Sequence, residues 1–280
     1  MNCYYSNLIE GHDTHPIDIE LALKGDYSRD ASKRDLQLEA KAHIAVQQWI
    51  DTGASASNCP KTCCGSKISR PRTGSKLFPA SAAAHHRLTW LHPFLDGNGR
   101  VARLVSHATL LDVLDTGAVW SIARGLARNV SDYKAHFAAC DLPRRNNLDG
   151  RGTLSGGSLA AFTKFFLNVC LDQVAFMEGL MQPAQLRSRI LSWADEETRL
   201  SKLPPKANNI LEALLYRGEL PRGDAAAIVG TGQRQARRVV SAPADLGAIT
   251  SGSTRAPLRL AFPAALASRW MPRLFPDKFA

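Results

Sequence analysis

The sequence predicts a mainly α fold in two parts: a helical bundle, then a small module of three short helices and a β-hairpin. Three observations predict it. Apolar residues recur at intervals of three and four through most of the chain before residue 204. A double proline, Pro204-Pro205, closes that pattern. Beyond it the helical runs shorten, and two β-like pieces flank Ser-Gly-Ser in "AITSGSTRAPLRLAF".

From Asp35 to Ile50, Leu38, Ala42, Ala45, Val46 and Trp49 fall at helical spacing with Lys, Glu and Gln between them, which predicts an amphipathic helix with that stripe inward. Residues 54–79 are rich in Ser, Gly, Pro, Cys and Lys/Arg, with Ile68, Leu77 and Phe78 as the large apolar residues, and predict no regular structure. Helix resumes over Ser81–Trp90 and again after Gly99, where Val101, Leu104, Val105, Ala108 and Leu111 make one stripe. A Gly-rich break lies around Leu148–Ser158. A long apolar face comes next, through Phe162, Phe165, Phe166, Val169, Cys170, Met177 and Met181. Arg187–Lys202 predicts a polar-faced helix stopped by the double proline.

After Pro205, Ile210, Leu211, Leu214 and Leu215 predict one short helix, Gly223–Val229 a second, and Gln233–Val240 a third that Pro243 should end early. Three short helices and a hairpin are the pattern of a winged helix-turn-helix. The division expected is therefore 1–34 as an N-terminal segment, 35–203 as a helical domain with 54–79 as an irregular basic insert, and 204–280 as the winged module.

Composition narrows the class. Of 280 residues, 45% are hydrophobic and 21% charged, the balance of a chain with a buried core. The net charge of +10 is uneven. Residues 54–79 hold five Lys/Arg and no acid, and 205–280 hold eleven Lys/Arg against five Asp/Glu, so both could meet a polyanion. The opening "MNCYYSNLIEGHD" lacks a basic region followed by an apolar one, so no secretory signal is expected. No stretch approaches 18 uninterrupted apolar residues, so no membrane partner is expected. The six cysteines are then expected as cytoplasmic thiols, and "CPKTCC" has no second Cys or His pair at a zinc spacing.

The chemistry concentrates in "LHPFLDGNGRVARL", from Leu91 to Leu104. Gly97 and Gly99 allow backbone conformations closed to other residues, so consecutive N–H groups can converge on an anion. The helix beginning there points its free N–H groups and positive dipole end at the same place. Arg100 and Arg103 lie three apart on its first turn, where two cations oppose the dipole unless a strong anion sits between them. Asp96 offers a hard oxygen to a Mg²⁺ that already holds phosphate, His92 can accept a proton, and Phe94 is expected to point into the core.

That string, His-Pro-Phe-x-Asp-Gly-Asn-Gly-Arg-x-x-Arg, resembles the signature of the Fic (Fido-domain) family at every defined position. The resemblance implies a helical bundle that transfers AMP from Mg-ATP to a Tyr, Thr or Ser hydroxyl of a target protein. It implies His92 as general base, Asp96 as the Mg²⁺ ligand and the backbone of Gly97 to Gly99, with Asn98, as the anion cradle. Arg100 and Arg103 would hold the ATP phosphates, Arg103 the γ-phosphate. "SNLIEG", Ser6 to Gly11, resembles the family's inhibitory motif and implies that Glu10 pairs with Arg103 in place of a phosphate. Tyr133 in "SDYKAHF" falls where the family often sets an aromatic near adenine, and equally suits a buried core position.

The resemblance covers residues 4–12, 35–50, about 80–182 and, for members with a winged helix, 205–280. It departs over 54–79, too short and too poor in apolar residues for the β-hairpin flap that aligns a target. The expectation is that ATP binding survives and target modification suffers. The chain begins almost on the inhibitory motif, which predicts a further portion before it. An autoinhibited adenylyltransferase competes with a DNA-binding regulator whose Fic core senses nucleotide or is inactive, and with a degraded copy that folds but does little. The regulator reading rests on Arg234, Arg237 and Arg238 sharing one helix. Glu10 could act within one chain or across a homodimer.

Overall fold

The computed structural model describes residues 1–12, 14–52, 74–114 and 120–275. Most of the basic insert therefore lies outside the described residues, as does "CPKTCC". The fold is mainly α, and the chain divides into two compact units, Met1–Met177 and Glu178–Ala280.

The first unit opens with α1 (Asn2–Ile9), α2 (Pro16–Lys24) and α3 (Ala31–Asp51). Asp30 starts α3 by accepting from Lys33 N at 3.1 Å, an N-cap that satisfies one of the four free donors of the first turn. Next come α4 (Gly74–Leu91), α5 (Asn98–Leu114), α6 (Ile122–Arg128), α7 (Val130–Ala139) and α8 (Gly156–Leu180). Helix α4 begins at Gly74, ahead of the expected Ser81, and carries Pro79 inside it. Helices α4 and α5 pack on each other as an antiparallel pair joined by the loop 92–97, and α1 packs on α6.

The expected core stripe of α3 faces outward, and that of α5 is split, with Leu104 buried and Val101, Ala108 and Leu111 half-buried. On α3, Leu38, Ala42, Ala45, Val46 and Trp49 are exposed, while Gln37, Ala40, His43 and Ile50 are buried. On α5, Val105 is exposed and Ala102, Arg103, Ser106, His107 and Leu110 are buried. The reason is the interior itself, which is polar on these faces. Gln37 accepts from Ser28 N at 2.8 Å and donates to Asp18 O at 3.2 Å, binding α3 to the segment before it. A rule that sends apolar residues inward fails where the inward groups are paired polar ones.

Helix α8 is long and apolar enough to cross a bilayer by length and composition alone. It instead buries Phe162, Phe166, Val169, Cys170, Gln173 and Met177, and its remaining surface carries Lys164, Asp172 and Glu178. Phe162 and Phe166 pack beside His85 of α4, and Phe162 beside Tyr133 of α7. The Gly-rich break before it is organised by Asp149, which accepts from Gly157 N (2.7 Å), Ser155 Oγ (2.8 Å) and Arg145 N (3.0 Å).

The second unit holds α9 (Pro183–Arg199), α10 (Ala207–Arg217), β1 (Glu219–Leu220), α11 (Ala225–Val229), α12 (Gln233–Asp245), β2 (Ile249–Thr250), β3 (Leu258–Leu260) and α13 (Ala267–Trp270). The sequence placed the division at 203/204; it lies at 177/178 because α9 shares its core with α10 to α13. Leu186, Ile190, Trp193 and Ala194 of α9 join Ile210, Leu211, Leu214, Val239, Leu258 and Trp270 in one apolar cluster. Helix α12 runs through Pro243, which is buried, instead of stopping before it. Strands β2 and β3 pair antiparallel, and β1, too short to read from sequence, adds to the other side of β3.

Candidate active site

The loop between α4 and α5 is held by its own short-range bonds. His92 closes α4 in a left-handed conformation, φ +48°, its N–H donating to Leu88 O at 3.3 Å and Thr89 O at 3.2 Å. The Asn98 side chain staples Phe94, accepting from its N–H at 3.0 Å and donating to its carbonyl at 2.7 Å. Gly97, at φ +80°, donates to Asp96 Oδ1 at 2.6 Å and accepts the first bond of α5 from Val101 N at 2.9 Å. The donors of Asn98, Gly99 and Arg100 then stand at a helix N-terminus without intrahelical acceptors, the arrangement that attracts anions. Asn98 thus shapes the cradle from behind instead of lending it a side chain. Phe94, expected in the core, is 49% exposed, because Asn98 grips its backbone and leaves the ring outside.

A carboxylate occupies that N-terminus. A Cβ added to Gly99 would sit 2.5 Å from Glu10 Oε1 and 3.1 Å from Arg103 Nη1. Glycine is what allows Glu10 this close to the backbone. Glu10 Oε1 also accepts from Arg103 Nη2. Arg103, 3% exposed, donates besides from Nε to Ser6 Oγ at 2.7 Å and from Nη2 to Ser6 O at 3.2 Å. Ser6 and Glu10 lie one helical turn apart at the end of α1, so one segment takes three bonds from one guanidinium.

Arg100 is held by two other carboxylates. Its Nη1 meets Glu39 Oε1 of α3, and its Nη2 donates to Asp96 Oδ2 at 2.9 Å. His12 Nδ1 lies 3.5 Å from the same Glu39 oxygen. Two arginines therefore face Glu10, Glu39 and Asp96, and both guanidinium charges are already matched by carboxylates.

Behind Arg103 runs a buried polar chain. His85 Nδ1 bonds Ser106 Oγ at 2.8 Å, and its Nε2 bonds the Tyr133 hydroxyl at 2.9 Å. Burial, with the Arg103 charge adding to it, pushes the His85 imidazole down to about 3 and His43 down to about 4. Burial raises the Tyr133 phenol, opposed by the neighbouring Arg103. Tyr133 is thus placed in the core, its ring against Phe137 and Phe162. Sequence reasoning passed over His85, His43 and Glu39. Two adjacent histidines inside the apolar helix "ASAAAHHRLTW" were the available signal for His85; nothing local marked Glu39.

Asp96 is the one candidate metal ligand, and among the described residues no group of three or more His, Cys, Asp or Glu side chains gathers. Its side chain is 90% exposed beside the cradle. One such carboxylate fits a Mg²⁺ that takes most of its oxygens from a nucleotide, which keeps water and phosphate ligands readily. His92 is exposed at the loop's edge.

In the second unit the three expected arginines part company. Arg237 lines a groove of about 1120 Å³ with Arg222 and Arg255, between α12 and the hairpin. Arg234 and Arg238 line a separate hollow with Lys206.

Residues 6–110 match the model of the Fic/DOC family. That stretch is similar to a Fic/DOC domain. It runs from Ser6, the first partner of Arg103, to Leu110 on α5, and so contains every residue of the cradle and of the α1 segment that fills it. A solved Fic family protein from Desulfovibrio desulfuricans G20 is similar to the chain at 15% identity, with a TM-score of 0.44, over 93% of this chain and 85% of that one. No curated protein matches the chain.

Proposed function

We propose that the Fic/DOC-like domain is an autoinhibited adenylyltransferase that moves AMP from Mg-ATP to a hydroxyl side chain of a target protein. The observation that carries this reading is Glu10, whose carboxylate lies against Gly99 at the start of α5 while bonding Arg103. An anion site already filled by an anion is a site with a brake. When Glu10 leaves, the N–H groups of α5 and the guanidinium of Arg103 receive a phosphate in its place. Catalysis of this type is mostly positioning and charge neutralisation. Mg²⁺, held by Asp96, would neutralise phosphate charge. The target hydroxyl bonds to the α-phosphorus, its proton passes to His92, and the bond to pyrophosphate breaks.

Incubation with ATP labelled at the α-phosphate tests this. Glu10→Gly is expected to label itself or a lysate protein far above the wild type, and adding His92→Ala to abolish the label. No label with Glu10→Gly would overturn the assignment.

A second reading concerns the other unit. Its order of elements supports a winged helix-turn-helix, and its groove joins Arg237 to Arg222 and Arg255. We propose that this face contacts DNA phosphates. An electrophoretic shift should disappear in Arg237→Ala/Arg255→Ala and weaken steeply with salt. Arg234→Ala/Arg238→Ala should disturb it less; a shift indifferent to salt and to all four residues contradicts contact.

A further inference from the structure

We propose that Glu39 is a positioning residue of the cradle, holding Arg100 so that the edge now given to Asp96 is turned toward an incoming phosphate. This rests on reading the cradle as a nucleoside triphosphate site.

The two carboxylates on Arg100 are not equivalent. Asp96 sits on the loop with its side chain 90% exposed, while Glu39 is 30% exposed on the 21-residue α3 and Arg100 only 12%. An exposed pair is worth little and exchanges readily, whereas a pair withdrawn from water is screened less. A phosphate therefore displaces Asp96 and leaves Glu39 in place. Arg100 then keeps Nη1 on α3 and offers Nη2 and Nε. Both atoms already lie over the cradle glycine, since a Cβ added to Gly97 would stand 3.4 Å from Nη2 and 3.5 Å from Nε. Without Glu39 this guanidinium loses its anchor on the first turn of α5, where the helix dipole and Arg103 both repel it. It would swing to solvent, and binding a phosphate would then require freezing the side chain again.

The position of Glu39 also explains why it differs from Glu10. Glu10 lies in the cradle, where it excludes a phosphate. Glu39 reaches Arg100 from α3, on the Nη1 side, and leaves the cradle clear. Loss of the first should tighten nucleotide binding and loss of the second should loosen it.

The test is calorimetric binding of Mg-ATP and of adenosine to the full chain in the Glu10→Gly background. Adding Glu39→Ala is expected to weaken Mg-ATP about tenfold, the scale of one lost partly buried ion pair, with adenosine unchanged. Glu39→Asp, which keeps the negative charge on α3, should recover part of the loss, whereas Glu39→Gln should not. Unchanged or tighter Mg-ATP binding in Glu39→Ala overturns the proposal, tighter binding making Glu39 a second brake. Equal losses for adenosine and Mg-ATP also overturn it, as the mark of a merely structural residue. If Glu10→Gly itself binds no Mg-ATP, the reading of the cradle falls first, and this proposal with it.

Discussion

Both units bury apolar side chains, but only the first buries many polar ones beside them. Among the described residues, the first encloses Arg103, Arg124, His43, His85, His86, His107, Gln37, Gln173, Asn98 and Asp149, whereas the second encloses Glu197 alone among polar side chains. The second has the apolar cluster around Trp193, Ile210, Leu211 and Trp270. Apolar packing is non-directional and tolerant of detail; a paired polar interior fixes each group in one place and leaves it costly to disturb. The first unit has the interior of a site, the second that of a scaffold.

The largest expected effect lies in the scaffold. Trp270 is fully buried against Trp193 at 5.2 Å between rings, so Trp270→Ala should cost about 3–5 kcal/mol. Hydrogen exchange along α10 and α12 would read the loss. A change below ~1 kcal/mol would mean that this core does not act as one.

Next comes pH, which should act on the first unit. His43 and His85 are held neutral, with folded values of about 4 and 3 against an ordinary 6.5. A lowered folded value means that the unfolded chain takes up the proton first, so stability is complete above about pH 6.5 and falls as pH drops toward 4. Each should contribute a slope of about 1.4 kcal/mol per pH unit in that window. Denaturant midpoints between pH 7 and 5 would show it, and His43→Gln should remove about half of it. A flat profile in the wild type would contradict the burial of both rings.

The smallest effect separates pairing from packing. Ser6→Ala removes the acceptor of Arg103 Nε and should cost about 1 kcal/mol. It should also loosen the segment carrying Glu10 and raise labelling modestly, well short of Glu10→Gly. Labelling unchanged in Ser6→Ala would mean that Glu10 holds Arg103 without that support.

These differences also decide what could be read from sequence. The cradle was legible because its parts are local: Gly97, Gly99, Arg100 and Arg103 act through the spacing of one loop and one turn. The apolar face of α8 and the helices of the second unit were legible because their cores are apolar. The face of α3 was not, and that of α5 only in part, since Gln37, His43, Arg103 and His107 point inward and the apolar stripe on α3 points out. The contact of Glu10 with Arg103 spans 93 residues and came only through family resemblance; that of Glu39 with Arg100 had no local mark at all. Asn98 came to the cradle only through family resemblance, and its side-chain amide bonds the backbone of Phe94.

The central claim is that the Glu10 carboxylate stands where a phosphate binds. It is tested most directly by titrating Mg-ATP into the wild-type chain and into Glu10→Gly. The account predicts at least tenfold tighter binding once the carboxylate is gone, or about 1.4 kcal/mol. Equal or weaker binding in Glu10→Gly would contradict it.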